Sequence, residues 1–370
     1  MQFNTRQMKQ FLLEIAAAVA VCISTSGCLH HSLQRPPRTA EPVPESFRKE
    51  FGADPTSTTS LSNRAIARSE KSRTPRSPTR WYAHYEIAVT NALVDVVEAR
   101  PVEFDYFLPN VSAPKSPSRS TGNAGSNANR IVKLPAILIL PIMGGTNYDL
   151  EAYFARSYAK RGFAVAILHR PDIKKEIHEL EDIDVLLRRS VRDAQKTIDW
   201  LEAQPEIDPQ RLGLFGISMG AIRGTMVLAL DERVRAGVLG LVGGDVPYIL
   251  AHTREKSLVR ERNKVLDRLK LSPEELEQRL RRLITCEPLT VAPAVDPSRV
   301  LMVIAAFDHV IPARQGWELR RKLGNPETVQ LFSGHYSSVV YAPWLKWRTA
   351  RFFEKKLGKP QRPERRQTAR

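Results

Sequence analysis

Apolar runs and segments of helical period alternate through most of the chain. Ala136-Ile137-Leu138-Ile139-Leu140, Phe163 to Leu168, Val234 to Val242 and Val300 to Ala306 are short apolar runs, the pattern of strands covered on both faces. Between them, Asp149 to Lys160 and Asp184 to Leu201 repeat apolar residues at helical spacing, the second ending before Pro205. Ile207-Asp208-Pro209-Gln210 reads as a turn that feeds a short buried strand, Arg211 to Phe215, and Ala221 to Leu230 reads as the helix beyond it. Thr328 to Phe332 is the last predicted strand and Trp344 to Lys356 a closing helix. Upstream, Tyr82 to Val89 and Ala92 to Phe107 read as an antiparallel opening pair, and residues 111–130, rich in Ser, Pro, Asn and Gly, as a loop. This alternation predicts an α/β fold: a mostly parallel central sheet flanked by helices.

One stretch breaks the alternation. Within residues 247–298, Lys256 to Leu269 carries apolar residues at Leu258, Val265, Leu266 and Leu269. A second helix opens at Ser272-Pro273-Glu274-Glu275, with serine as N-cap, proline in the first turn and glutamate closing a capping box. Its stripe is Leu276, Leu280, Leu283 and Ile284. The expectation is a helical cap inserted near the functional edge of the sheet; packing on the side of the sheet, clear of any substrate, is the alternative.

Composition adds information mainly at the ends. The net charge of +16 raises nucleic acid as a partner. However, residues 29–80 hold ten Lys/Arg against five Asp/Glu, residues 253–285 ten against six, and residues 358–370 five against one. The charge is therefore peripheral, no nucleic-acid motif accompanies it, and no nucleic-acid partner is expected. Residues 29–80, rich in Pro, Ser, Thr and Arg, read as a disordered basic tether, and 358–370 as a similar tail. The folded domain is expected over 81–357.

Residues 1–28 read as an export signal, with Arg6 and Lys9 ahead of a short apolar run from Phe11 to Ile23. Ser24-Thr25-Ser26-Gly27-Cys28 resembles a bacterial lipoprotein lipobox, which implies lipidation at Cys28 and a place in the cell envelope on a lipid anchor. Thr25 stands where leucine is usual, and a plain cleaved signal is the alternative. With Cys28 acylated, Cys286 is the only thiol left after cleavage, and it reads as a buried small residue.

Candidate chemistry centres on Gly216-Ile217-Ser218-Met219-Gly220, a G-x-S-x-G pattern between a predicted strand and a predicted helix. That context makes it a nucleophile elbow. A nucleophilic serine needs a base, a group to orient that base, and donors for an oxyanion, gathered at the C-terminal ends of strands. Asp308 ends one strand, in Phe307-Asp308-His309-Val310-Ile311-Pro312, and His335 follows the last, in Ser333-Gly334-His335. Asp245, in Gly243-Gly244-Asp245, competes as the acid; His309 and His169 are fallback bases. No His, Asp, Glu or Cys cluster has ligand spacing, so neither metal nor cofactor is expected.

Over about residues 81–357 these motifs resemble the α/β-hydrolase superfamily, and within it the dienelactone hydrolase, acetyl-xylan esterase and prolyl-oligopeptidase-like group. Ile207 to Gly213 is similar to that group's lead-in to the nucleophile strand, Asp308 with Val310 and Pro312 to its acid motif, and Gly334-His335 to its histidine motif. The resemblance implies a triad of Ser218, Asp308 and His335 in hydrolase order, and an oxyanion hole from the N–H groups of Met219 and Met143. Pro141-Ile142-Met143-Gly144-Gly145 stands where the group has His-Gly-x-Gly-Gly, with Pro141 and Ile142 in place of its His-Gly. The implied function is an exported serine hydrolase acting on small or polymer-linked carboxylic esters. A serine peptidase, or a non-catalytic envelope protein on the same fold, is the alternative.

Overall fold

The computed structural model describes residues 133–144, 147–171 and 173–360, with shorter pieces at 30–33, 40–45, 47–48, 63–64, 82–89 and 100–109. The export signal, Cys28, most of the tether, the 111–130 loop and residues 361–370 lie outside the described residues. Strands run His30–Leu33 (β1), Asn63–Arg64 (β2), Tyr82–Val89 (β3), Arg100–Phe107 (β4), Leu134–Leu140 (β5), Ala164–Leu168 (β6), Ile207–Ile217 (β7), Val234–Gly240 (β8), Val300–Ala305 (β9) and Glu327–Leu331 (β10). They form one sheet in the order β1-β10-β9-β8-β7-β5-β6-β4-β3-β2. From β10 to β6 every pairing is parallel, while β4, β3, β2 and the opposite edge strand β1 join antiparallel.

The longer helices are Asp149–Ala159 (α1), Asp182–Ala203 (α2), Met219–Leu230 (α3), Val246–His252 (α4), Lys256–Leu269 (α5), Pro273–Leu283 (α6), Ala313–Lys322 (α7) and Ala342–Leu357 (α8). Alternate residues of the central strands feed two cores. Ala136, Leu138, Leu140, Leu214 and Met302 pack with residues of α2 and α3, whereas Ile137, Ile139, Phe215, Val238 and Val303 pack with residues of α1 and α8. Burial on both faces is why these strands read as apolar runs. No described helix is long and apolar enough to cross a membrane.

Three features differ from the sequence reading. The 207–210 segment is the start of β7: Leu134 pairs with Ile207 and Ala136 with Leu212, so a bulge absorbs the extra residues. Within it, Asp208 accepts the Gln210 N–H, a local Asx turn inside the strand. Three described pieces of the 29–80 tether lie against the domain: β1 extends the sheet beside β10, Phe47 is buried in the main core, and β2 pairs with β3 at the far edge. Helices α4 and α7 have no counterpart in the sequence reading. The inward residues of α7 are Gln315, Gly316, Leu319 and Arg320, which make no apolar stripe to read.

The 247–298 insertion holds α5 and α6 in the expected places. Ser272 Oγ accepts the Glu275 N–H at 3.2 Å and Glu275 Oε2 accepts the Ser272 N–H at 2.7 Å, the reciprocal capping box. Leu276, Leu280, Ile284 and Cys286 enter the core shared with α3. Asp184 on α2 accepts the backbone N–H groups of Thr285 and Cys286, at 2.8 and 2.7 Å. At the other end, the Arg254 N–H donates to His309 O and Thr253 Oγ1 donates to Val310 O. The root of the insertion is thus fastened to the loop that carries Asp308.

Candidate active site

Ser218 sits between β7 and α3 with φ 56° and ψ −123°, a backbone conformation that costs a non-glycine residue energy. The turn is tight enough to exclude side chains on either side. A Cβ on Gly216 would meet the Gly220 carbonyl at 2.5 Å, and one on Gly220 would meet the Leu140 carbonyl oxygen at 2.2 Å. Glycine at both flanks therefore lets α3 start directly against β5 and β7. The Ser218 N–H is held by Gly240 O on β8 at 2.8 Å.

Asp308 follows β9 and His335 follows β10, and parallel pairing brings both strand ends to the same edge as the elbow. Backbone bonds lock the two loops together: the Ala306 N–H donates to Leu331 O and the Phe307 N–H to Ser333 O. His335 Nε2 lies 3.1 Å from Ser218 Oγ, and His335 Nδ1 lies 2.7 Å from Asp308 Oδ2. The other Asp308 oxygen accepts the N–H groups of Val310 and Ile311, at 2.9 and 3.0 Å. The Asp308 side chain is only 2% exposed. A buried carboxylate with two backbone donors is fixed in orientation, so it in turn fixes the imidazole.

The remaining candidates stand outside this hydrogen-bonded series. Asp245 caps α4 by accepting the Tyr248 N–H and pairs with Arg281 at 2.8 Å. His309 is exposed. His169 lies between Asp105 and Glu103, at 3.0 and 3.3 Å, and stacks on Tyr148. Burial works against its charge, but the bonds and charges of Asp105 and Glu103 outweigh burial and raise the imidazole above its ordinary value. Cys286 is buried, its Sγ against Met226 Sδ.

Met219 is the first residue of α3, where a helix leaves its N–H groups without internal partners and concentrates positive dipole. Met143 lies on the loop after β5, beside the elbow strand, since Leu140 pairs with Gly216. Two buried charges that the sequence reading passed over hold this loop. Arg223, on α3, is 3% exposed and donates to Pro141 O and Met219 O. Burial pulls its guanidinium down to about 10, which leaves it charged at neutral pH. From the other side, Glu151 on α1 accepts the Ile142 N–H at 3.0 Å. Arg170 adds a bond to Gly144 O. The clue in the sequence is that Arg223 is the one charged residue in a largely apolar α3.

No family model matches the chain, and no curated protein matches it in sequence. Solved structures do match in shape. Acetyl xylan esterase 1 from Thermoanaerobacterium sp. JW/SL YS485 is similar over 85% of this chain and 96% of its own, with a TM-score of 0.55 and 16% identity. The acetyl xylan esterase from Paenibacillus sp. R4 is similar over 84% and 92%, with a TM-score of 0.57 and 15% identity. The acylaminoacyl peptidase of Pyrococcus horikoshii gives a TM-score of 0.54 at 16% identity, over 75% of this chain but 42% of its own. The chain has the α/β-hydrolase fold.

Proposed function

We propose that this chain is an exported serine hydrolase that cleaves carboxylic esters through an acyl-enzyme. The observation that carries the reading is the hydrogen-bonded series from Ser218 Oγ through His335 to a buried Asp308. In this mechanism His335 Nε2 takes the Ser218 proton as Oγ attacks the ester carbonyl carbon. Asp308 keeps Nδ1 protonated and stabilises the imidazolium. The developing oxyanion is received at the N-terminus of α3 by the Met219 N–H, with Met143 as the second donor. His335 then returns the proton to the departing alcohol, and water, deprotonated by the same nitrogen, releases the acid.

Ester rather than peptide cleavage is favoured by the extent of the match. This chain spans nearly the full length of two acetyl xylan esterases but less than half of the acylaminoacyl peptidase. Export and lipidation at Cys28 rest on the character of residues 1–28. The test is hydrolysis of a chain-length series of p-nitrophenyl esters beside a peptide anilide. Ester turnover that vanishes in Ser218→Ala supports the reading; anilide cleavage without ester cleavage overturns it. Blocking lipoprotein processing and weighing the N-terminus tests Cys28 separately.

A further inference from the structure

Six large apolar side chains among the described residues are 48% exposed or more: Val185, Phe307, Phe332, Tyr336, Val339 and Trp347. Five of them fall between residues 307 and 347, where the polypeptide leaves β9 and β10 and turns into α8. Phe307 precedes Asp308, and Tyr336 follows His335. Tyr336, Val339, Pro343 and Trp347 recur every three or four residues along the continuous helical run of Ser337–Tyr341 and α8, so they share one face. That face continues into exposed Arg351 and Lys355, with the Arg351 guanidinium 5.6 Å from the Trp347 ring. Aromatic residues beside basic ones on one exposed helical face are the composition of a surface that lies in a lipid headgroup layer.

The N-terminal strand supplies the direction. β1 runs antiparallel to β10 with His30 opposite Leu331 and Leu33 opposite Thr328. The chain therefore enters β1 from the end of the sheet that bears Phe332 and His335. Cys28 is two residues before His30, a reach of roughly 7 Å at most. An acyl chain on Cys28 would enter lipid beside the aromatic rim, whereas attachment at the opposite end of β1 would leave the rim facing away. The basic excess of the flanks 29–80 and 358–370 adds attraction to anionic headgroups.

We propose that the rim of Phe307, Phe332, Tyr336, Val339 and Trp347 docks on an anionic phospholipid surface, and that Ser218 works on acyl esters presented at that surface. This deepens the hydrolase reading of the site and rests on it for the substrate, though not for the docking. The test uses the full chain from a bacterial host that processes lipoproteins, placed on vesicles of phosphatidylcholine and phosphatidylglycerol with brominated acyl chains. The Trp347 emission is obtained by difference from Trp347→Phe. Quenching of more than half of that component supports docking; a chain that stays off the vesicles, or one bound with Trp347 unquenched, overturns it. Fluorophosphonate labelling of Ser218 on the same vesicles reports on the hydrolase reading independently, so quenching without labelling sinks that reading and leaves docking intact. Val339→Ser/Trp347→Ser is expected to slow turnover of a vesicle-borne ester about tenfold, the scale set by the apolar area withdrawn from lipid, and to leave a soluble short-chain ester unaffected. Equal loss on both substrates overturns the docking role of the helical face.

Discussion

Arg223→Met removes the cation that ties the loop after β5 to the start of α3. Its guanidinium is 3% exposed and bonds Pro141 O and Met219 O. Methionine fills similar space without donors, so the two carbonyls lose charged partners worth about 1.5–3 kcal/mol each. Pro141 precedes the loop residues whose N–H groups are at stake, and Glu151 continues to pull Ile142 from the far side. With one anchor gone the loop relaxes toward the other, and a misplacement of about 1 Å costs on the order of 10²-fold in rate. The expected result is a loss of about 10²-fold in kcat on a short ester with KM changed little, because the lost contact acts on the transition state. Arg223→Lys, which keeps a charge but can reach only one carbonyl well, is expected to fall between the two. The assay is steady-state hydrolysis, with near-ultraviolet circular dichroism to show that each variant is folded. A folded Arg223→Met with kcat within about threefold of wild type refutes the clamp.

Other perturbations probe the triad, the elbow and the cap. Asp308→Asn keeps an oxygen for the Val310 and Ile311 N–H groups but turns the wrong tautomer of His335 toward Ser218, so kcat is expected to fall by about 10⁴ with the melting temperature nearly unchanged. Gly220→Ala drives a methyl group to 2.2 Å from the Leu140 carbonyl oxygen; as backbone cannot give way like a side chain, a loss of about 3 kcal/mol is expected in denaturant unfolding. Glu255 caps α5 through the Ser257 and Leu258 N–H groups and accepts the Tyr336 hydroxyl. Burial opposes its charge, but the bond from the Ser257 hydroxyl, followed by those from the Leu258 and Ser257 N–H groups and the Tyr336 hydroxyl, prevails and holds its carboxyl below the ordinary value. The bonus is therefore present above the unfolded carboxylate range and lost as pH falls through the folded value. Glu255→Ala should lower the melting temperature by about 2–4 °C near neutrality, for the loss of about 1 kcal/mol of capping, and the gap to wild type should close in acid.

Much of this architecture is legible in residue order because the central strands are buried on both faces. A strand such as β5, whose seven residues are all buried, has to be apolar throughout. The elbow is legible for a different reason: its two glycines are steric necessities, so the spacing is the geometry. The capping box of α6 is likewise a local rule. What escaped the reading depends on contacts distant in sequence. Helix α7 turns Gln315, Gly316 and Arg320 inward beside a single buried leucine, Leu319, and a Cβ on Gly316 would lie 2.8 Å from the Val242 carbonyl oxygen, so close approach stands where an apolar stripe would have been legible. The two donors to Asp308 are backbone groups, which carry no signature in the side chains. Arg223 reaches Pro141 from 82 residues away, and no local pattern in α3 foretells that bond. The pairing of β1 with β10 joins opposite ends of the chain, and four residues of strand beside a basic, proline-rich stretch do not stand out.

Activation of Ser218 Oγ by His335 is open to a direct chemical test. The purified protein is treated with a fluorophosphonate and the adduct mapped by peptide mass spectrometry, in parallel with His335→Ala. A single phosphonylated residue, Ser218, is expected, formed rapidly in the wild type and slowed by at least about 10³-fold in His335→Ala. An unmodified Ser218, an adduct on another residue, or labelling that proceeds equally well without His335 would contradict that activation.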